Sequence, residues 1–328
     1  MLLGIVYTAV LGFTGLSSTF QVSFTYDDNP FLLSPADRAA FRSAINPHRY
    51  PFNTADDLDV VFNTRLSWDY SEAGRVRLRI RSHQFVSNWV KSYSVAGVGL
   101  NQRLGKIGNL EVSWTWMPNY LIRYYLNPVS ADTSVYAPCR FTEHLGAVEL
   151  VRRLGAVELA PFYRWEWGDY LSQFNYYDTR AHRLGGKMKW QPAGNLTVAG
   201  SYEFKIAAAA GPLPDISYRQ HSAGVSALSW PQRFDRLGVQ AGYEFEFREY
   251  TSRNTPDADP DHVDRVDRTE KVSLALKYRV RRILVSADYA LEWRAVSSPF
   301  RPQIQDIKDY RQNRIGLGVT INSGRWRR

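Results

Sequence analysis

Residues Lys271 to Arg294 read KVSLALKYRVRRILVSADYALEWR, and this stretch decides the fold. From Val272 every second residue is apolar (Val272, Leu274, Leu276, Tyr278, Val280), and the set between them (Ser273, Ala275, Lys277, Arg279) is small or cationic. After Arg281-Arg282 the alternation resumes, with Ile283, Val285, Ala287, Tyr289, Leu291 and Trp293 on one side and Ser286, Asp288, Glu292 and Arg294 opposite. A period of two means β-strands, because successive side chains point to opposite faces of the pleat, whereas a helix would mix the two sets. The stretch is therefore a hairpin with one apolar face and one charged face.

The same unit recurs along the chain. Strands are expected over Ser18–Tyr26, Leu58–Tyr70, from Val76 through Arg81, Ser92–Leu104, Asn109–Tyr120, Cys139–Val151 (the least cleanly patterned), Val157–Trp167, Arg183–Trp190, Leu196–Lys205, Gln220–Trp230, Leu237–Arg248 and Arg311–Asn322. With the hairpin this makes about 14 strands, an even number. Ser34-Pro35, an N-cap followed by proline at the first helical position, predicts a short helix over Pro35–Ala44 within the first long loop.

The connections carry more than the count does. Short turns (Ser71–Gly74, Gly105–Gly108, Arg152–Gly155, Gln191–Gly194, Pro231–Asp235, Arg281-Arg282) alternate with long ones (Asp27–Asp56, Leu121–Pro138, Gly168–Ala181, Ala207–Ile216, Glu249–Arg268, Ala295–Tyr310). Only Val86–Lys91 is modest where a long loop is due. Tight turns at one rim and extended loops at the other are the wiring of a meandering barrel with both termini on the periplasmic side. A β-sandwich also alternates apolar with polar residues, but expected strands of roughly 10 to 13 residues are long enough for a tilted membrane crossing. The aromatics also sort by height. Trp116, Trp167, Phe247 and Trp293 fall near the long-loop ends, and Trp68, Tyr70, Trp190, Trp230 and Tyr278 near the short-turn ends. Two aromatic girdles around an aliphatic band suit a bilayer, and closure removes exposed sheet edges. The expected fold is all-β: a closed antiparallel up-and-down transmembrane β-barrel with short periplasmic turns and long extracellular loops.

Composition narrows the function. The 41 Lys and Arg outnumber 32 Asp and Glu for a net charge of +9, but the two signs are interleaved and no long basic run exists, which argues against nucleic acid. The single cysteine, Cys139, rules out an intramolecular disulfide, and nothing around it marks a nucleophile. Residues 1–17 are almost all apolar or small and end in Gly15-Leu16-Ser17, a small-x-small pattern; this predicts a secretory signal peptide without the usual positive start, leaving 18–328 as the barrel.

The segment Arg314-Ile315-Gly316-Leu317-Gly318-Val319-Thr320-Ile321 resembles the C-terminal assembly signal of outer-membrane barrel proteins, with Ile321 in place of the usual terminal aromatic and Asn322–Arg328 trailing beyond. The resemblance implies recognition by the barrel-assembly machinery and residence in the outer membrane of a Gram-negative bacterium. As an overall type the chain is similar to monomeric porins of about this strand number.

If the apolar face meets outer-membrane lipid, the other face lines a lumen. Arg75, Arg77, Arg79 and Arg81 then form a ladder followed by His83, with Asp59, Arg65 and Asp69 on the neighbouring strand. Arg183, Lys187, Lys189, Lys277 and Arg279 add cations, and Glu244 and Glu246 acids; Lys187 and Lys189 are expected to meet Glu158, Glu166 and Glu203. Two readings follow: a wet channel favouring small polar or anionic solutes, or a mutually neutralised wall. Strand number leaves lumen width open, and Pro35–Ala44 is a potential plug. Asp257, Asp259 and Asp261, with Asp264 and Asp267, crowd one loop, but His262 and Arg268 stand where a calcium loop needs Gly and a bidentate acid. No cofactor is implied. The six histidines lack any catalytic motif, although His144 or His182 near a rim fits an outer-wall lipid hydrolase. The order of readings is a passive porin, a non-conducting barrel for surface display, adhesion or complex assembly, and a lipid-acting enzyme.

Overall fold

The computed structural model describes residues 15–132, 134–211 and 213–323. Its strands are β1 (Leu16–Asp27), β2 (Asp57–Asp69), β3 (Gly74–Phe85), β4 (Tyr93–Arg103), β5 (Asn109–Leu126), β6 (Tyr136–Leu154), β7 (Val157–Tyr170), β8 (Thr179–Ala193), β9 (Leu196–Ala209), β10 (Tyr218–Ser229), β11 (Leu237–Tyr250), β12 (Val266–Val280), β13 (Ile283–Ser297) and β14 (Tyr310–Asn322). Two helices sit in loops, α1 (Pro35–Arg42) and α2 (Ile304–Lys308). Most of the expected leader, residues 1–14, lies outside the described residues, and Leu16 and Ser17 already belong to β1.

Every strand pairs antiparallel with its sequence neighbours, and β1 pairs with β14 from Thr19↔Asn322 to Asp27↔Arg314, so the sheet closes. The apolar alternates point away from the centre. Leu274 is 52% exposed, Ile315 57% and Leu184 65%, values no water-facing protein core would show. A closed barrel, apolar outside and charged inside, is a membrane barrel of the bacterial outer-membrane type.

The strands tilt, so equal height is not equal register. Passing from one ascending strand to the next, the register drops two residues: Tyr163 faces Leu184, which faces Phe204, and Tyr202 lies two below. The outer wall makes this level visible. Tyr163 and His182 (2.6 Å), Tyr202 and His221 (2.8 Å), Tyr243 and Glu270 (2.8 Å), and Tyr289 and Asn313 (3.0 Å) are hydrogen-bonded pairs. Each joins an ascending strand to the descending strand after it, with the partner two residues nearer the long loops than the residue directly opposite. Tyr26 bonds Asp56 in the same way (2.6 Å), and Trp114 packs 5.6 Å from His144 at the equivalent place on β5 and β6. Hydroxyls held at one level mark the extracellular headgroup layer.

Differences from the sequence reading have local causes. β5 and β6 run to 18 and 19 residues because register shifts at Met117/Tyr120 and Leu121/Arg123 break the alternation without ending the pairing. Trp230 is not in the lower girdle: it follows the end of β10 and turns over Gly238, which leaves a bare seat, with the Arg279 guanidinium 4.2 Å from its ring. The predicted helix forms as α1, with Ser34 Oγ accepting from Asp37 N (3.0 Å), and ends at Arg42. Among the described residues the packed apolar cores lie at the extracellular end, one of Phe31, Leu33, Tyr50 and Leu121, the other of Ala137, Cys139 and Phe174.

Candidate functional site

The inner wall is built by the alternates the outer wall leaves over. On β3, Arg75 pairs with Asp69, and Arg77 reaches Glu111 on β5 (3.1 Å), passing over Gly99 of β4. Arg79 Nε donates to Asn63 (3.1 Å); Arg79 and Arg81 have no carboxylate within ion-pair distance among the described residues. His83 meets Asp59 at 2.7 Å and stacks on Tyr93.

A second cluster spans β7, β8 and β9. Arg183 bonds Glu166 and Glu203 (3.2 Å to the latter), Arg164 bonds Glu203 (2.8 Å), and Lys205 bonds Glu166 (2.9 Å). Arg164 also lies 4.0 Å over the Phe162 ring, itself packed where Gly185 has no side chain. Lys187 meets Glu149 of β6 (2.5 Å) across Ala160. The expectation that Lys187 and Lys189 meet Glu158, Glu166 or Glu203 is corrected: strand adjacency favours those partners, but tilt and concavity bring together residues two strands apart and two positions displaced. Arg77 faces Gly99, which faces Ser113, and Glu111 lies two below; Arg164, Arg183, Lys205 and Glu203 repeat the relation. Further round, Lys271 meets Glu244 (3.1 Å), Arg248 meets Glu246 (3.0 Å) and Lys277 donates to Gln240 (2.6 Å).

These walls surround three adjoining cavities of about 520, 520 and 420 Å³. Lys187 and Glu244 line two of them, Glu246 lines one, Lys189 lines the smallest, and Arg81 lines the one beside β1–β4. Arg75, Arg77, Arg79, Arg183, Lys277 and Arg279 alternate on the same inner face by register.

The extracellular mouth is crossed by loop 28–56. Phe31 and Leu33 bury against Leu121, Arg123 donates to the Leu32 carbonyl, and Asp37 accepts from Arg49 (2.8 Å), Tyr50 (2.7 Å) and Arg123 (3.4 Å). Leu32 itself has φ +53°, a left-handed backbone unusual for leucine, and lines the two larger cavities. Loop 298–309 completes the cover: α2 packs against α1, and Lys308 accepts Arg294 on its carbonyl (2.6 Å) while its ammonium lies 5.9 Å from the Tyr125 ring. Burial first, then Arg265, Arg123 and Arg294, pushes the Lys308 ammonium down to about 7. Below it Arg248, Arg265 and Arg294 stack on Tyr218, Tyr250 and Tyr310 at 4.3, 4.4 and 4.8 Å.

The remaining candidates do not converge. Asp259 accepts from Asp215 N (2.9 Å) and pairs with His262 (2.7 Å), Asp267 with Arg265 (2.7 Å) and Asp261 with Arg301, so these carboxylates are spent on holding loop 251–265. His144 stacks on Trp167 (5.0 Å) and His182 bonds Tyr163, both on the outer wall. Cys139 is fully buried. One feature escaped strand-by-strand reading: Arg-x-polar-x-apolar recurs at Arg180-Ala-His182-Arg-Leu184, Arg219-Gln-His221-Ser-Ala223, Arg268-Thr-Glu270-Lys-Val272 and Arg311-Gln-Asn313-Arg-Ile315. Aligning the descending strands with one another would have found it.

No protein-family model and no curated protein matches the chain. Among solved structures, the outer membrane channel DcaP of Acinetobacter baumannii superposes with a TM-score of 0.50 over 94% of this chain and 96% of its own, at 9% identity. OmpT of Vibrio cholerae gives 0.48 over 95% and 99%, and an anion-selective porin from Comamonas acidovorans 0.45 over 94% and 98%, both at 9% identity. The shared property at such identity is the barrel fold.

Proposed function

We propose that the chain is a passive outer-membrane channel for small polar solutes, with a preference for anions. The observation that carries this is the Arg79 and Arg81 pair on the inner wall, cationic and without carboxylate partners among the described residues, with Arg81 lining a cavity that His83, Lys91, Lys271 and Arg314 also face. Fixed positive charge in a narrow wet passage raises local anion concentration. DcaP, the structural likeness at TM-score 0.50, is an outer membrane channel, which supports the class. The test is planar-bilayer conductance in a salt gradient. The wild type is expected to give steady single-channel current with an anion-selective reversal potential, and Arg79→Glu with Arg81→Glu to shift that potential toward cations. Unchanged selectivity would remove the role given to the ladder.

The cover of loops 28–56 and 298–309 favours a second reading, a barrel that displays its loops and conducts little. Absence of current from well-folded protein would select it.

A further inference from the structure

Among the four repeats, the leading arginines share an environment the lumen never offers. Arg180, Arg219, Arg268 and Arg311 stand at the extracellular ends of β8, β10, β12 and β14. All four are exposed, and none makes an ion pair or side-chain hydrogen bond among the described residues. They occupy one height: Arg180 faces Ala208 while Arg219 faces Ile206, Arg219 faces Glu249 while Arg268 faces Phe247, and Arg268 faces Ala295 while Arg311 faces Trp293. Each step is the two-residue drop that strand tilt imposes. They sit on the outer face two residues beyond the tyrosine-bonded girdle, which along a strand tilted by about 40° is about 5 Å further from the bilayer centre.

An exposed guanidinium at that level faces the headgroup layer, not hydrocarbon. Arginine binds phosphate through two parallel N–H bonds and is less strongly hydrated than lysine, so a row of them suits phosphate that arrives with a lipid. Neighbouring arginines, on alternate strands and displaced by two residues, have Cα atoms about 12 Å apart, a span that two long side chains and one headgroup bearing two phosphates can bridge. Two carboxylates at this level, Glu249 opposite Arg219 and Asp169 in the cavity beside Arg180, form no ion pair among the described residues, and Glu270 below is held by Tyr243. Beside Arg180 lies a cavity of about 800 Å³ whose lining includes the outward-facing Trp165, Trp167 and His182, an apolar seat for an acyl chain next to a phosphate contact.

We infer that this belt docks a glycolipid of the outer leaflet whose sugar headgroup carries phosphate monoesters. The monoester is favoured over a phosphodiester lipid because its charge of about −1.5 to −2 matches closely spaced, unneutralised cations.

The experiment uses the full chain, purified in neutral detergent, titrated with diphosphoryl lipid A, its dephosphorylated counterpart and phosphatidylglycerol, with bound lipid counted by native mass spectrometry. Wild type is expected to bind diphosphoryl lipid A at least tenfold tighter than either other lipid. Arg180→Gln, Arg219→Gln, Arg268→Gln and Arg311→Gln together are expected to abolish that preference, whereas Arg281→Gln with Arg282→Gln, at the opposite rim, keeps it. Heat-modifiable gel migration checks that each variant forms a barrel. Should the fourfold variant fail to fold, Arg180→Gln with Arg219→Gln and Arg268→Gln with Arg311→Gln are each expected to lose several-fold. Equal binding of the dephosphorylated lipid, equal binding of phosphatidylglycerol, or unchanged affinity in folded variants would overturn the proposal.

Discussion

Arg77 on β3 and Glu111 on β5 form an ion pair at 3.1 Å across an intervening strand, and they do so over Gly99. A Cβ there would lie 4.0 Å from Arg77 Cβ and 3.8 Å from Ser113 Cβ, so the glycine does not relieve a clash but leaves a path open. Both partners are about one-third exposed to the water of the lumen, so the pair contributes on the order of 0–1 kcal/mol. Its larger consequence is electrical, since it removes one rung from the cationic ladder. Gly99→Leu fills the path and is expected to leave barrel stability within about 1 kcal/mol while freeing Arg77. The reversal potential in a salt gradient then moves further toward anions; an unchanged potential would mean that Arg77 does not sense the ions.

The β7–β9 cluster behaves differently because its carboxylates are more deeply buried than Glu111. Glu203 and Glu166 are largely buried and together hold Arg164, Arg183 and Lys205. Glu203→Gln leaves Arg164 and Arg183 with one carboxylate fewer, an uncompensated buried charge expected to cost about 2 kcal/mol or more. Urea unfolding in detergent micelles measures this, and the loss should exceed that of the Gly99→Leu variant.

Strand identity and direction were legible because a membrane wall forces period-two alternation on every crossing, as at Leu274, Leu276 and Tyr278. Partner choice was not. Strand adjacency pairs Lys187 with Glu158, Glu166 or Glu203, but Lys187 meets Glu149, because barrel stagger is a property of closure and leaves no mark on a single strand. Trp230 misled for a similar reason: its height was correct, but its side of the wall depends on the end of β10 and on Gly238. The helix start at Ser34-Pro35 was readable because capping is local. That its loop crosses the mouth was not, since Arg123, which holds Leu32 and Asp37, is distant in the chain.

Arg123 is accordingly the tie between the wall and loop 28–56. Arg123→Met keeps the aliphatic bulk and removes the bonds to the Leu32 carbonyl and Asp37, which retains Arg49 and Tyr50 as partners. Single-channel recordings should show larger or longer openings, and amide exchange should quicken in residues 28–44 only. A trace identical to wild type would separate the loop from conduction.

Lys308 makes the cover sensitive to pH. Its ammonium is pushed down to about 7 in the closed mouth, while a released loop would hold a lysine near 10.4. Between these values the released form binds more protons, so closure strengthens as pH rises from about 7 toward 10 and is weakest at and below 7. Conductance is expected to fall between pH 6.5 and 9 in the wild type, and Lys308→Met to flatten that dependence. An equally steep dependence in Lys308→Met would assign the effect to another group.

The most direct test of the whole account is which alternates face water. In a Cys139→Ala background, Leu276→Cys and Ser273→Cys are reconstituted in lipid vesicles and exposed to a charged, membrane-impermeant maleimide. Leu276, 53% exposed on the outer wall, is expected to stay unlabelled until the lipid is dissolved, while Ser273, which lines the inner cavity, reacts at once. Rapid labelling at position 276 with protection at 273 would contradict the assignment of inside and outside.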